Sequence, residues 1–233
     1  IRRIADHVRA ECPNPQRPIL RKLHPRPSLK SYANLRRPAD FLICLAAARP
    51  PATYNPRLMK STGSLAHHLA VAVRRTPRGL ALCHAERRWT FADLLADSAA
   101  LNVRVADSRE PFILPAGSLD LARHAFACSL ENRPFFPVDR NRSTHLTAEL
   151  PPGVALVIAT SGSEGEPRGV LLSNAALDAA AAASNKHLPL HAGDLWLDCL
   201  PLYHIGGQAI LWRCARAGAG VLLHDGFAAD AVA

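Results

Sequence analysis

The sequence has 233 residues, 48% apolar and 20% charged, with a formal net charge of +9. That is ordinary globular composition with enough apolar residues for a real core. No apolar run approaches the ~20 residues of a bilayer-spanning helix, so no membrane span is expected. The charge is not a nucleic-acid footprint either. Residues 1–58 hold 12 Lys+Arg against 3 Asp+Glu, whereas residues 59–233 hold 16 of each and cancel.

The basic quarter also carries 9 of the 19 prolines. Its pieces CPNPQRP and HPRP break any regular element, and the only sustained apolar run is 41–48. A basic arm for nucleic acid would show interleaved aromatics, but Tyr32, Phe41 and Tyr54 stand alone. Met59, the sole methionine, stands where amphipathic patterning begins. Residues 1–58 are therefore expected to be a poorly ordered or non-native extension, and 59–233 the folded unit. The cysteines, at 12, 44, 83, 128, 199 and 214, are scattered without a CxxC pair. Their spacing suits reduced, mostly buried thiols and a cytoplasmic location.

From Met59 onward, Leu65, Leu69, Val71, Ala72 and Val73 place an apolar stripe on a first helix, which ends near Thr76-Pro77-Arg78-Gly79. A strand is expected at 79–83, a turn at Glu86-Arg87-Arg88 and an extended piece at Trp89-Thr90-Phe91. Thr90 is placed to cap a helix over 91–101, with Asp93 in its first turn. The apolar run 111–114, a helix over 119–130 and a strand at 135–138 make a strand–helix–strand unit. A strand at 154–159 meets a glycine-rich loop, and Ser173 or Asn174 caps the helix AALDAAAAASNKHL. A strand at 195–200, the loop PLYHIGG, a helix over 208–217 and a strand at 221–223 follow. Alternation at this spacing predicts an α/β fold, a mostly parallel sheet flanked by helices. Ligands then bind beyond the carboxyl ends of strands. The loops at 160–169 and 201–207 both leave such ends, so both are expected on one rim.

The stretch ATSGSEGEPRG lies between these strands and offers glycines, three hydroxyls and an arginine. Glycines let backbone approach a ligand, and successive amides cradle an anion. Thr160, Ser161 and Ser163 add hydroxyl donors, and Arg168 a fixed cation that can grip a phosphate. The loop is neither a Walker A loop nor a dinucleotide fingerprint, since the required spacings are absent. A flexible surface loop is the competing reading of composition alone. His67-His68 and His191 lack partner ligands at metal-site spacing, so no protein metal site is expected. Asp194 and Asp198 read as surface and capping residues.

TSGSEGEPRGV resembles T-S-G-[ST]-T-G-x-P-K-G-V, the phosphate-binding signature of the AMP-forming acyl and aryl acid ligases, the adenylate-forming superfamily. Further stretches resemble that family in the same order: RRWTFADLLADSAAL, FACSLENRPFFPVD, and LWLDCLPLYHIGGQAILWRCARAGAGVLL. The likeness runs from about Ser64 to the end and is nearest to o-succinylbenzoate and small acyl or aryl acid ligases. It implies activation of a small carboxylic acid by ATP as an acyl-adenylate, with magnesium, followed by transfer to coenzyme A. Transfer to a carrier-protein phosphopantetheine, or an inactive half-domain, are the alternatives. By match, Thr160, Ser161, Gly162, Ser163, Glu164, Gly165, Arg168 and Gly169 would surround the phosphates. His204 would steer the carboxylate, with Gly206-Gly207 leaving room for the acyl or pantetheine chain. Two positions depart from the pattern. Glu164 stands where the family has threonine or serine, and Arg168 where it has lysine. The family's adenine pocket, ribose aspartate, hinge and catalytic lysine have no counterpart in these 233 residues. The chain is thus expected to be the first part of the large domain and inactive alone in thioester formation.

Overall fold

A computed structural model of the chain describes residues 62–104, 109–141, 150–159 and 169–227. The expectations for 1–58 and for most of the glycine-rich loop lie outside them. Helix α1 (Leu65–Arg75) starts at Ser64, whose hydroxyl accepts from the His67 amide, and Leu65, Leu69 and Ala72 face the core. Strands β1 (Leu80–His84) and β2 (Arg87–Thr90) form a tight hairpin in which His84 already pairs with Arg87. The turn is therefore Ala85-Glu86, not the polar triplet 86–88. Ala85 sits at φ 49°, a conformation that favours glycine.

Helix α2 (Phe91–Ala100) begins with a reciprocal cap: Thr90 Oγ1 accepts from the Asp93 amide at 3.1 Å, and Asp93 Oδ2 accepts from the Thr90 amide at 3.0 Å. Strand β3 (Phe112–Ala116), helix α3 (Ser118–Leu130) and strand β4 (Phe135–Asp139) make the expected unit, with β3 and β4 parallel in unbroken register. Strand β5 (Val154–Ala159) then turns back antiparallel as β6 (Gly169–Ser173), before helix α4 (Asn174–His187). Strand β7 (Leu195–Asp198), helix α5 (Ile205–Ala217) and strand β8 (Gly220–Leu223) complete the described chain.

The strands divide into two four-stranded sheets, ordered β2-β1-β8-β7 and β3-β4-β5-β6. Within each, one antiparallel strand flanks three parallel ones. The mostly parallel α/β expectation holds, but in two sheets. Leu82 finds its partner in Val221, far along the chain, while β3 to β6 form a sheet of their own. One apolar core takes Leu82, Trp89 and Val221 from the first sheet and Phe135, Leu156 and Ile158 from the second, around α1, α3, α4 and α5. Alternate residues point the other way: Cys83 and Leu222 on one sheet, Phe136 and Val157 on the other. Apolar residues on both faces are what parallel strands with two covered sides require.

Cys128 and Cys214 are buried free thiols, and burial pushes the Cys128 thiol up to about 12. Cys83, fully buried in β1, is disulfide-bonded and departs from the expectation of reduced thiols.

Candidate functional site

The glycine-rich loop hangs from a hairpin, not from a strand-to-helix turn. Ala159 and Gly169 face each other as the last pair of β5 and β6, so residues 160–168 are closed at their base by that pair. Among the predicted phosphate-binding residues, Gly169 is described. Its missing Cβ would meet Val157 Cγ1 at 3.2 Å, so the hairpin is closely packed at the loop's root. Thr160, Ser161, Gly162, Ser163, Glu164, Gly165 and Arg168 lie outside the described residues. Strand β6 escaped the sequence reading because GVLLS is short and follows Pro-Arg-Gly. As an edge strand it leaves Val170 and Leu171 43% and 42% exposed, so burial imposes no alternation on its residues.

The second loop leaves β7. Its turn is tied at several points before α5 begins. Asp198 Oδ1 accepts from the Leu200 amide at 3.1 Å, and the His204 amide donates to the Pro201 carbonyl at 3.0 Å. Gln208 Nε2 donates to the Leu202 carbonyl at 2.7 Å. Gly207 lies so close beneath this turn that a Cβ would stand 2.8 Å from the Pro201 oxygen and 3.0 Å from the Leu200 oxygen. Gly206 faces the Leu200 side chain at 3.1 Å. Gly207 is thus small because the turn's own backbone fills the space, a different reason from the room for an acyl or pantetheine chain expected of it.

His204 is the N-cap residue of α5, with extended backbone (φ −112°, ψ 155°) and an exposed side chain. Its ring lies tilted against Tyr203 at 4.6 Å and makes no cap hydrogen bond to the helix. The first amides of a 13-residue helix therefore receive no side-chain cap beside it. Such an end carries partial positive charge and suits a carboxylate or other anion. An exposed imidazole at that end can hydrogen-bond a bound carboxylate while the amides meet its charge.

Two neighbours differ from expectation. Asp194 and Asp198 do serve turns: Asp194 Oδ2 accepts from the His191 amide at 2.8 Å, and Asp198 accepts from Leu200. Neither is a surface residue, since Asp194 is buried and Asp198 has no exposed area at all. Burial pushes the Asp198 carboxyl up to about 7, against the opposing pull of the Leu200 amide. Its hydrogen-bonding role could be read from Asp-x-Leu-Pro, but its burial could not. The two loops also do not share one rim of one sheet, because β5 and β7 belong to different sheets.

A cavity of about 640 Å³ opens elsewhere, at the amino ends of β4 and β5, lined by Leu65, Ser129, Arg133, Phe135, Val154 and Trp212 among others. Arg133 there is spent on structure, donating to the carbonyls of Glu110, Val103 and Pro111. It lies at the amino end of β5, opposite Ala159, and is not the candidate site. Among the described residues, no group of three or more His, Cys, Asp or Glu side chains could hold a metal ion, and no helix is long and apolar enough to cross a membrane.

Residues 119–233, from α3 onward, match the model of the AMP-binding enzyme family. That segment is similar to this family. The curated 2-succinylbenzoate–CoA ligase of Bacillus cereus (strain Q1) is 38% identical over 74 residues, which is 32% of this chain and 15% of that protein. The Bacillus cytotoxicus enzyme of the same name is 40% identical over 67 residues, 29% of this chain and 14% of that protein. Among solved structures, o-succinylbenzoate coenzyme A synthetase (MenE) from Bacillus subtilis in complex with AMP superposes with a TM-score of 0.60 at 23% identity, over 71% of this chain and 57% of that one. The same enzyme in complex with ATP and magnesium ion gives 0.59 at 22% identity, over 71% and 59%. The match thus spans little more than half of the solved chains and about a seventh of the curated ones. The two-sheet architecture is that of the MenE fold.

Proposed function

We propose that this chain carries the phosphate-binding and acid-facing portion of an ATP-dependent, AMP-forming carboxylic acid–CoA ligase. The observation that carries this reading is the stretch TSGSEGEPRGV between strands β5 and β6, together with His204 at the start of α5, which has no side-chain cap hydrogen bond. In the first step a carboxylate oxygen attacks the α-phosphorus of ATP. An O–P bond forms, the bond to the bridging oxygen breaks, and pyrophosphate departs with its growing charge. The hydroxyls of Thr160, Ser161 and Ser163, the loop amides and Arg168 would take up that charge where it develops. His204 and the first amides of α5 would hold the acid's carboxylate in line. In the second step a thiol attacks the acyl carbon, the C–S bond forms and AMP leaves.

Magnesium, on this reading, arrives with the nucleotide and neutralises its phosphates. Glu164 would stand near those phosphates as a like charge, which Arg168 would offset. The relatives' names make 2-succinylbenzoate, an aryl acid with a carboxylate on a short chain, the first acid to try. Calorimetric titration of the 233-residue chain with MgATP tests the phosphate site. Wild type should bind, and Arg168→Ala should weaken binding about tenfold or more, the size of one charge-assisted hydrogen-bond pair. No binding, or equal binding by the variant, would refute the assignment.

A further inference from the structure

The turn that presents His204 is held from both ends by buried polar side chains that the acid-activation chemistry does not use. At its start stands Asp198, the last residue of β7 and wholly buried. Its Oδ1 accepts from the Leu200 amide at 3.1 Å, while its own carbonyl accepts from the His224 amide at 2.9 Å. Its Oδ2 has no hydrogen-bond partner among the described residues. At the turn's end stands Gln208, 1% exposed, whose Nε2 donates to Leu202 O at 2.7 Å and whose amide donates to His204 O at 3.3 Å. Between them the His204 amide is bonded to Pro201 O. The carbonyl or amide of every second residue from 200 to 204 is thereby tied.

We propose that Asp198 and Gln208 are positioning residues that clamp the His204 turn from opposite sides, and that Asp198 is a proton-responsive pin in that clamp. An ionised Asp198 holds the Leu200 amide by a charge-assisted bond, at the cost of a buried charge on the unpartnered Oδ2. Protonation removes the charge, weakens that bond and loosens the pin. Burial alone brings this exchange into the neutral range, with the carboxyl pushed up to about 7. The groups around it do not take over the role. Cys214 on α5 feels both Asp198 and Asp194, but burial pushes its thiol up and keeps it neutral. Asp194, at the other end of β7, is engaged with His191. Arg213 on α5 donates to Asn185 and Leu188, and His224 meets Asp198 through its backbone.

The meaning for catalysis rests on the reading of His204 given above, but the clamp can be tested without nucleotide. In the full chain, the Leu200 amide resonance is followed by NMR across pH 5.5–8.5, and amide exchange at His204 is measured relative to that at Leu82 in the core. Wild type should show a Leu200 inflection near pH 7 that Asp198→Asn abolishes. Gln208→Met should keep the inflection but lower the relative protection of His204 about tenfold, the equivalent of one hydrogen bond. An inflection that persists in Asp198→Asn, or unchanged protection in Gln208→Met, overturns the clamp. Either result leaves MgATP binding, and with it the ligase reading, untouched; loss of MgATP binding in wild type would bear on that reading alone.

Discussion

Replacing Asp198 by Asn should remove a pH dependence from the stability of this protein, and the size follows from burial. The carboxyl is fully inaccessible and pushed from 3.8 to about 7. Between those values the folded chain holds a proton that the unfolded chain has released, so stability falls as pH rises. Each pH unit in that window costs about 1.4 kcal/mol, hence roughly 3 kcal/mol from pH 5 to just above pH 7 and little more beyond. Asn matches the carboxyl in shape, can still accept from Leu200, and does not titrate. Thermal unfolding of both proteins at pH 5 and pH 8, followed by circular dichroism, isolates the effect, because the two proteins differ only at residue 198. The variant should gain about 3 kcal/mol over wild type on going from pH 5 to pH 8, a relative rise in Tm of roughly 6–12 °C for a domain of this size. An equal difference between the two proteins at both pH values would refute the burial argument.

Gly207→Ala should lose about 1–3 kcal/mol by urea denaturation, because its methyl meets the rigid carbonyls of Pro201 and Leu200 at 2.8 and 3.0 Å. Gly206→Ala meets only the end of the Leu200 side chain and should cost measurably less in the same assay. His204→Ala should leave Tm within about 1 °C, since the ring is exposed and caps nothing. On the reading proposed above, the same variant should lower kcat/KM for 2-succinylbenzoate in pyrophosphate exchange about a hundredfold. Thr90→Ala removes the reciprocal cap with Asp93 and should destabilise by about 1 kcal/mol in equilibrium unfolding.

Local order was legible in the chain wherever one short-range pattern fixed the answer. The Thr90–Asp93 cap, the Ser173 cap of α4, strand β5 to the residue, and the β3–α3–β4 unit all follow from spacing, capping chemistry and apolar runs. The glycine-rich stretch after Ala159 and PLYHIGG could likewise be placed after the carboxyl ends of strands, because strand ends are marked by where apolar runs stop. Tertiary packing decided the rest. Pairing of Leu82 with Val221, and the split into two sheets, depend on contacts between distant segments whose apolar runs look alike in sequence. β6 became a strand only because β5 offered it an open edge. Gly207 is small because a turn folds back over it, and Asp198 is a buried acid because β7 lies under α5 and beside β8. A residue's type and spacing specify which bonds it can make with near neighbours; how much water it loses is set by what the fold brings over it, and that set the behaviour of Asp198.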